Sequence, residues 1–211
     1  KENSAFYEYV EFMQKIRKEA GPITSALQTS QGTEKEGLEN KLKDITLKVE
    51  NHKKSFIKKY PNIFFTKLIK IPNNINEMNI PEAPLDSNGN AEKYFAFRYY
   101  KKHFWDNIDF NDSRMLRTRV FHNKLKEFFE QLTVKHADSI KRSADIVAKK
   151  AETNNEIFKY VVHGITAKYE QPKIMGMQDV FVHMVENYYM QEKCDWIDEE
   201  QLEKMIERAE K

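Results

Sequence analysis

Residues 95–122 read FAFRYYKKHFWDNIDFNDSRMLRTRVFH. Phe97, Tyr100, Phe104 and Ile108 recur at steps of three and four, the spacing of one helix face, and Tyr94, Phe95 and Tyr99 widen that stripe. So large an aromatic payload predicts a mostly buried central helix, running from about residue 91 to 106 with Asn90 as its cap. The run DNIDFND at 106–112 then turns the chain, and Asp112 or Ser113 can cap a short helical turn holding Met115 and Leu116. The same stretch brings together Arg98, Tyr99, His103, Trp105, Arg114, Arg117 and Arg119, residue types enriched at binding hot spots. They form a candidate recognition face. The competing reading places the aromatics in the core and pairs the arginines with Asp106, Asp109 and Asp112.

On the N-terminal side, Phe6, Tyr9, Met13, Ile16 and Ala20 share a helix face, and Gly21 with Pro22 is expected to break or kink that helix. A polar turn, TSQGT, leads to Leu38, Leu42, Ile45, Val49, His52 and Phe56, a heptad-like seam. Two such stripes joined by a short turn predict an antiparallel helical hairpin over residues 3–59. His52 reads as a core-edge imidazole with one hydrogen bond, and Lys53, Lys54, Lys58 and Lys59 suit the negative end of a helix dipole. Pro61 fits the first turn of a short helix, NIFFTKLIKI. Residues 71–90, rich in Pro, Gly and Asn and without a period, read as a linker or long loop between segments 1–70 and 91–211.

On the C-terminal side, beyond Thr118, five helical segments follow with short connections. Their stripes are Val120, Phe121, Leu125, Phe128, Phe129 and Leu132; then Ile140, Ala144, Val147 and Ala151; then Ile157, Val161, Ile165 and Tyr169, with Thr153 and Glu156 in capping-box register; then Met177, Val180, Phe181, Met184 and Tyr188; and last Leu202, Met205 and Ile206, opened by Asp198 and Gln201. The tetratricopeptide pattern is not among them. Short turns between amphipathic helices stack them as antiparallel neighbours. The fold expected is all-α: about eight helices, an N-terminal hairpin followed by an antiparallel array.

Composition narrows the function classes. A chain of 211 residues buries a core without disulfide staples. Its net charge of +2, with lysines and glutamates interleaved, lacks the concentrated basic excess of a nucleic-acid binder. No apolar run approaches the ~20 residues of a membrane span, and KENSAFYEYVEF has no signal-peptide layout. A start at Lys1 rather than Met marks the chain as a piece of something longer, so membrane association would come only through a missing N-terminal segment.

Candidate reaction centres are few. The acidic run 106–112, counted from Asn107 as a calcium loop, needs Gly where Asp112 stands and Glu where Thr118 stands. The histidines lack zinc spacing, leaving only a site assembled in space from His163, His183 and Cys194. Cys194, the single cysteine, stands beside Lys193 but also Glu192, Asp195 and Asp198, whose charges disfavour a thiolate. No metal, cofactor or catalytic residue is assigned, and the segment is read as non-enzymatic. A second reading is a small-ligand or metal-binding module with an interhelical pocket near His103, His163 or His183, and a third is a structural spacer.

The segments RYYKKHFWDNIDF, HADSI at 136–140, IMGMQDVFVHMVE and DWIDEEQLEKMIERA carry a resemblance. Residues 95–209 look like the helical domain of unknown function that precedes a thioredoxin-like domain in thiol:disulfide interchange proteins of the Gram-negative envelope, and residues 1–70 are similar to the helical pair upstream of it. The resemblance implies a cell-envelope, periplasmic location and an auxiliary role: positioning the thioredoxin-like domain of the same chain, binding its protein substrate or partner, or forming a homodimer. The Cys-x-x-Cys of such proteins matches no position here, so no catalytic role transfers.

Overall fold

The computed structural model describes residues 2–72, 80–85, 87–191 and 193–210. Among the described residues there are nine α-helices and no strand, so the fold is all-α; an isolated antiparallel bridge joins Leu85 to Ala91 around a turn in which Gly89 adopts φ 78°. The chain divides into two compact units, Lys1–Asn79 and Ile80–Lys211. The linker reading of 71–90 falls partly on 73–79 and Asp86, which lie outside the described residues.

In the first unit, α1 (Glu2–Leu27) and α2 (Gly32–Lys59) form the expected hairpin. Ion pairs set its antiparallel register: Lys59 meets Glu8 at 2.9 Å and Lys48 meets Glu19 at 2.6 Å, so positions climb one helix as they descend the other. Gly32 enters α2 with φ 57°, a conformation costly for any residue with a Cβ. α3 (Phe64–Lys70) closes the end of the pair, and Ala5, Phe56 and Ile69 form a small core ringed by Tyr9, Ile57, Tyr60, Ile63 and Phe65.

Two expectations here are corrected. Gly21 and Pro22 do not break α1, which runs on to Leu27. An interior proline costs about 3 kcal/mol; Ile23 and Leu27, half-buried beyond it, offset that with about 1 kcal/mol or more each. Pro61 lies before α3, whose N-cap is Ile63, because the chain must first turn away from α2 at Tyr60.

The second unit holds α4 (Phe95–His103), a 3₁₀ turn (Ser113–Arg117), α5 (Arg119–Glu130), α6 (Ala137–Ala151), α7 (Asn155–Glu170), α8 (Gln178–Met184), a π-helical turn (Val185–Tyr189) and α9 (Glu199–Ala209). The five segments expected beyond Thr118 are all present. Ser143, Ala144, Ala148 and Ala151 give α6 a face of small side chains, which lets α7 and α8 approach closely. Val147, Val161, Val162, Val180, Met184 and Val185 fill that contact and are wholly buried. α9 is different: its stripe residues Leu202, Met205 and Ile206 are only half-buried.

The aromatic helix is shorter than expected. It starts at Phe95, capped by Tyr94 rather than Asn90, because Ala91 is drawn into the bridge with Leu85. A nine-residue helix makes only about two and a half turns, and Tyr100 and Phe104 are buried while Phe97 and Tyr94 stay exposed. The cap of α7 also moves by one residue: Asn154, not Thr153, accepts the Ile157 N–H, at 3.2 Å.

Candidate functional site

The chemistry of the second unit is built on a rigid aromatic hub. Phe104 stacks on Phe128 at 5.5 Å and meets the edge of Trp105 at 4.9 Å; Trp105 in turn contacts Phe110 and Phe128. Set into this hub is Lys124 of α5, 4% exposed, a residue the apolar stripes pass over. Its Nζ donates to Glu127 Oε2 at 3.1 Å and to Tyr100 Oη at 3.2 Å, and lies 4.3 Å from the Phe104 ring centroid. Tyr100 closes the triangle by donating to Glu127 Oε1 at 2.7 Å. A lysine head can be buried at this depth because carboxylate, phenol and ring face replace its water. The triangle fixes α4 against α5.

The candidate recognition face divides on this frame. Trp105 leaves it: at 3% exposure the indole is core, and its Nε1 has no hydrogen-bond partner among the described residues. The chain bends at 104–107 and folds the ring inward onto Phe121 and Phe128, as the competing reading of the aromatics as core expects. His103 packs against Tyr99 with ring centroids 4.3 Å apart and tilted by 32°, and its Nδ1 pairs with Asp106 at 2.6 Å. Arg98 pairs with Glu92. Arg114 forms a two-point pair with Asp112, Nε at 2.8 Å and the terminal nitrogen at 2.7 Å, while the Asp112 side chain also caps the 3₁₀ turn.

Arg117 and Arg119 remain. Both are exposed, and no ion pair to either occurs among the described residues. They flank Thr118 between the fully buried Met115 and Phe121, so their backbone is held by the core while their guanidinium groups face water. The acidic run serves as turn caps: Asp109 accepts the Asn111 N–H at 3.0 Å and Asp112 that of Arg114 at 3.2 Å.

The trio His163, His183 and Cys194, left open by the sequence, is not brought together among the described residues. His183 Nε2 meets Asp145 at 2.8 Å, His163 is exposed on α7, and Cys194 is buried. Among the described residues no group of three or more His, Cys, Asp or Glu is arranged to hold a metal ion. Burial, and then the adjacent Asp195 carboxylate, push the Cys194 thiol up to about 12. In the first unit His52 lies half-buried at the core edge, as its seam position predicts. Its ring stacks on Phe12 at 3.6 Å, its Nε2 is buried without a partner, and burial holds its pKa below the ordinary value against the pull of Glu8.

One arrangement has no clear signature in the sequence. Met190 N–H donates to Val185 C=O at 2.9 Å, an i to i+5 bond that opens one π turn at the end of α8. At α-helical spacing His183 and Tyr188 would point about 140° apart. The wider turn lets both reach one carboxylate: Tyr188 Oη donates to Asp145 Oδ1 at 2.8 Å beside His183. Burial first, then this bond, pushes the Tyr188 phenol well above its ordinary value. Tyr189, next in line, is carried to the other side, where with Trp196 it lines a cavity of about 470 Å³ between α7 and α9.

No curated protein and no solved structure matches the chain. A family model does, over residues 30–211, taking in α2 to α9 and both the aromatic hub and the π turn. On that match the chain belongs to the family described as Domain of unknown function (DUF5106).

Proposed function

We propose that this chain is a non-catalytic accessory domain that works beside a thioredoxin-like thiol:disulfide oxidoreductase of the cell envelope, binding and orienting that domain or its protein partner. The observation that carries the reading is the pair Arg117 and Arg119: exposed guanidinium groups on a backbone clamped by Met115 and Phe121. Arginine presented from rigid backbone binds carboxylates at little entropic cost, since the pedestal is already ordered. The periplasmic setting and the covalent neighbour rest on the resemblance of the RYYKKHFWDNIDF and IMGMQDVFVHMVE segments to domains found upstream of such oxidoreductases.

The test is calorimetric titration of the 211-residue protein with a thioredoxin-like domain of the peroxiredoxin-related type, paired with a disulfide-reduction assay. Binding is expected for the parent protein, weakened at least fivefold, more than ~1 kcal/mol, in the Arg117→Ala/Arg119→Ala variant. Equal affinity in parent and variant leaves a structural spacer. A defined turnover by the chain alone would make it an enzyme and end the reading.

A further inference from the structure

We propose that the cavity between α7, the π turn and α9 is a binding site for a small aromatic carboxylate. Its volume, about 470 Å³, is in the range of small-molecule sites. Its apolar part is built from Tyr189, Trp196, Ile197 and Met205. The Trp196 ring is held edge-on by Phe158 at 6.0 Å and Tyr189 at 6.3 Å, so a flat face is presented without further ordering. The polar part is cationic: of the charged residues lining the cavity, Lys159, Lys204 and Arg208 are basic and Glu170 alone is acidic. Arg208 is consumed by Glu170, and Lys204 shares Glu200. Lys159 has no ion pair among the described residues and stands 5.6 Å above the Trp196 ring. A carboxylate at the mouth would meet Lys159 and Lys204, with its aromatic body on Trp196.

The second observation is inside. Tyr189 is 3% exposed, and its hydroxyl makes no hydrogen bond of ordinary geometry among the described residues. Its polar neighbour Thr166, also on the cavity wall, donates to the Val162 carbonyl at 2.8 Å. A phenol left unsatisfied costs about 1–3 kcal/mol, and the π turn that places it there is itself a departure from regular helix of the kind that gathers at functional sites. Burial pushes the phenol up to about 12, so it is a neutral donor at physiological pH. The occupant is therefore an aromatic acid with an acceptor oxygen on the ring, remote from its carboxylate.

The probes are 4-hydroxyphenylacetate and phenylacetate, which differ only in that ring oxygen. The protein has two tryptophans, Trp105 and Trp196, so ¹H–¹⁵N spectra give two indole signals, one in the cavity and one in the hub. Titration to millimolar concentration, where fragments of this size bind, is expected to move the Trp196 signal saturably and leave Trp105 in place. 4-Hydroxyphenylacetate should bind about fivefold tighter than phenylacetate, the worth of one hydrogen bond. Tyr189→Phe, which removes a hydroxyl that makes no hydrogen bond of ordinary geometry among the described residues, should erase that difference while the Trp105 signal reports an intact core. Lys159→Ala should weaken both acids. A Trp196 signal that does not move, a Trp105 signal that moves equally, or an unchanged preference in Tyr189→Phe overturns the proposal.

Discussion

Removing the carboxylate from the Lys124 triangle should destabilise the second unit far more than any exposed charge would. In Glu127→Ala, the Lys124 ammonium stays at a position 4% exposed and keeps only the Tyr100 hydroxyl at 3.2 Å and the Phe104 ring at 4.3 Å. Tyr100 loses its own acceptor at 2.7 Å. Breaking a buried pair by deleting one partner costs roughly 3–5 kcal/mol, and because the Glu127 side chain is 19% exposed the low end applies, about 3 kcal/mol. Lys124→Met/Glu127→Leu replaces both charges with apolar volume and should come within about 1 kcal/mol of the parent. The assay is urea unfolding followed by tryptophan fluorescence, because Trp105 and Trp196 both belong to the second unit. With a slope of about 2 kcal/mol per molar, the single variant should shift the midpoint down by about 1.5 M. A single variant within about 0.5 kcal/mol of the parent, or a double variant as unstable as the single, would refute the view that Lys124 is a buried charge held by this triangle.

Two further outcomes follow from the caps and the buried acids. Asn154→Ala should cost about 1 kcal/mol or more of second-unit stability in the same assay, since Asn154 caps α7 and also donates to the Asn111 carbonyl at 3.1 Å, whereas the exposed Thr153→Ala should stay within about 0.5 kcal/mol. The Cys194 thiol and the Tyr189 phenol are both raised to about 12 by burial. Folded values above unfolded ones mean that this stability is complete below about pH 9 and is lost as pH climbs toward 12. Alkaline titration of the melting temperature checks the fall, and a thiol-selective reagent at pH 8 should modify Cys194 slowly in the folded protein and quickly in urea.

The fold was legible because periodicity reports burial, and burial is what most of these helices share. The stripes of α6, α7 and α8 are core residues throughout, that of α5 is core at Phe121, Phe128 and Phe129 with Val120 and Leu125 half-buried, and Asp198 and Asp112 cap where short polar side chains before an apolar run should. The misreadings have a common cause as well. Pro22, Asn90 and Thr153 carry local signals, and each was overruled by a contact distant or adjacent that local propensity does not contain: the partner helix, the bridge to Leu85, and the better-placed Asn154. Charge at a stripe position reads as the polar border of a face, and it takes Tyr100, twenty-four residues earlier, together with Phe104 and Glu127, to make Lys124 a core residue. In the candidate face the residue types were right for binding, yet Trp105 went to the core, since an aromatic between Phe104 and Phe110 obtains more burial inward than any solvent face provides.

The π turn links the two parts of the second unit that sequence could not join. A regular continuation of α8 would leave either His183 or Tyr188 off the Asp145 carboxylate, and would rotate Tyr189 away from its present wall. The π turn is therefore anchored by two hydrogen bonds to Asp145, from His183 and Tyr188 and both 2.8 Å, while the next residue, Tyr189, carries a phenol that makes no hydrogen bond of ordinary geometry among the described residues. An irregularity stabilised by a network on one face and leaving an unsatisfied donor on the opposite face is poorly explained by packing alone, because Phe at position 189 would fill the same volume without the desolvation cost. That asymmetry is the physical argument for the small-molecule site proposed at this turn; the protein contact proposed at Arg117 and Arg119 rests on a different one, exposed charge on a closed core.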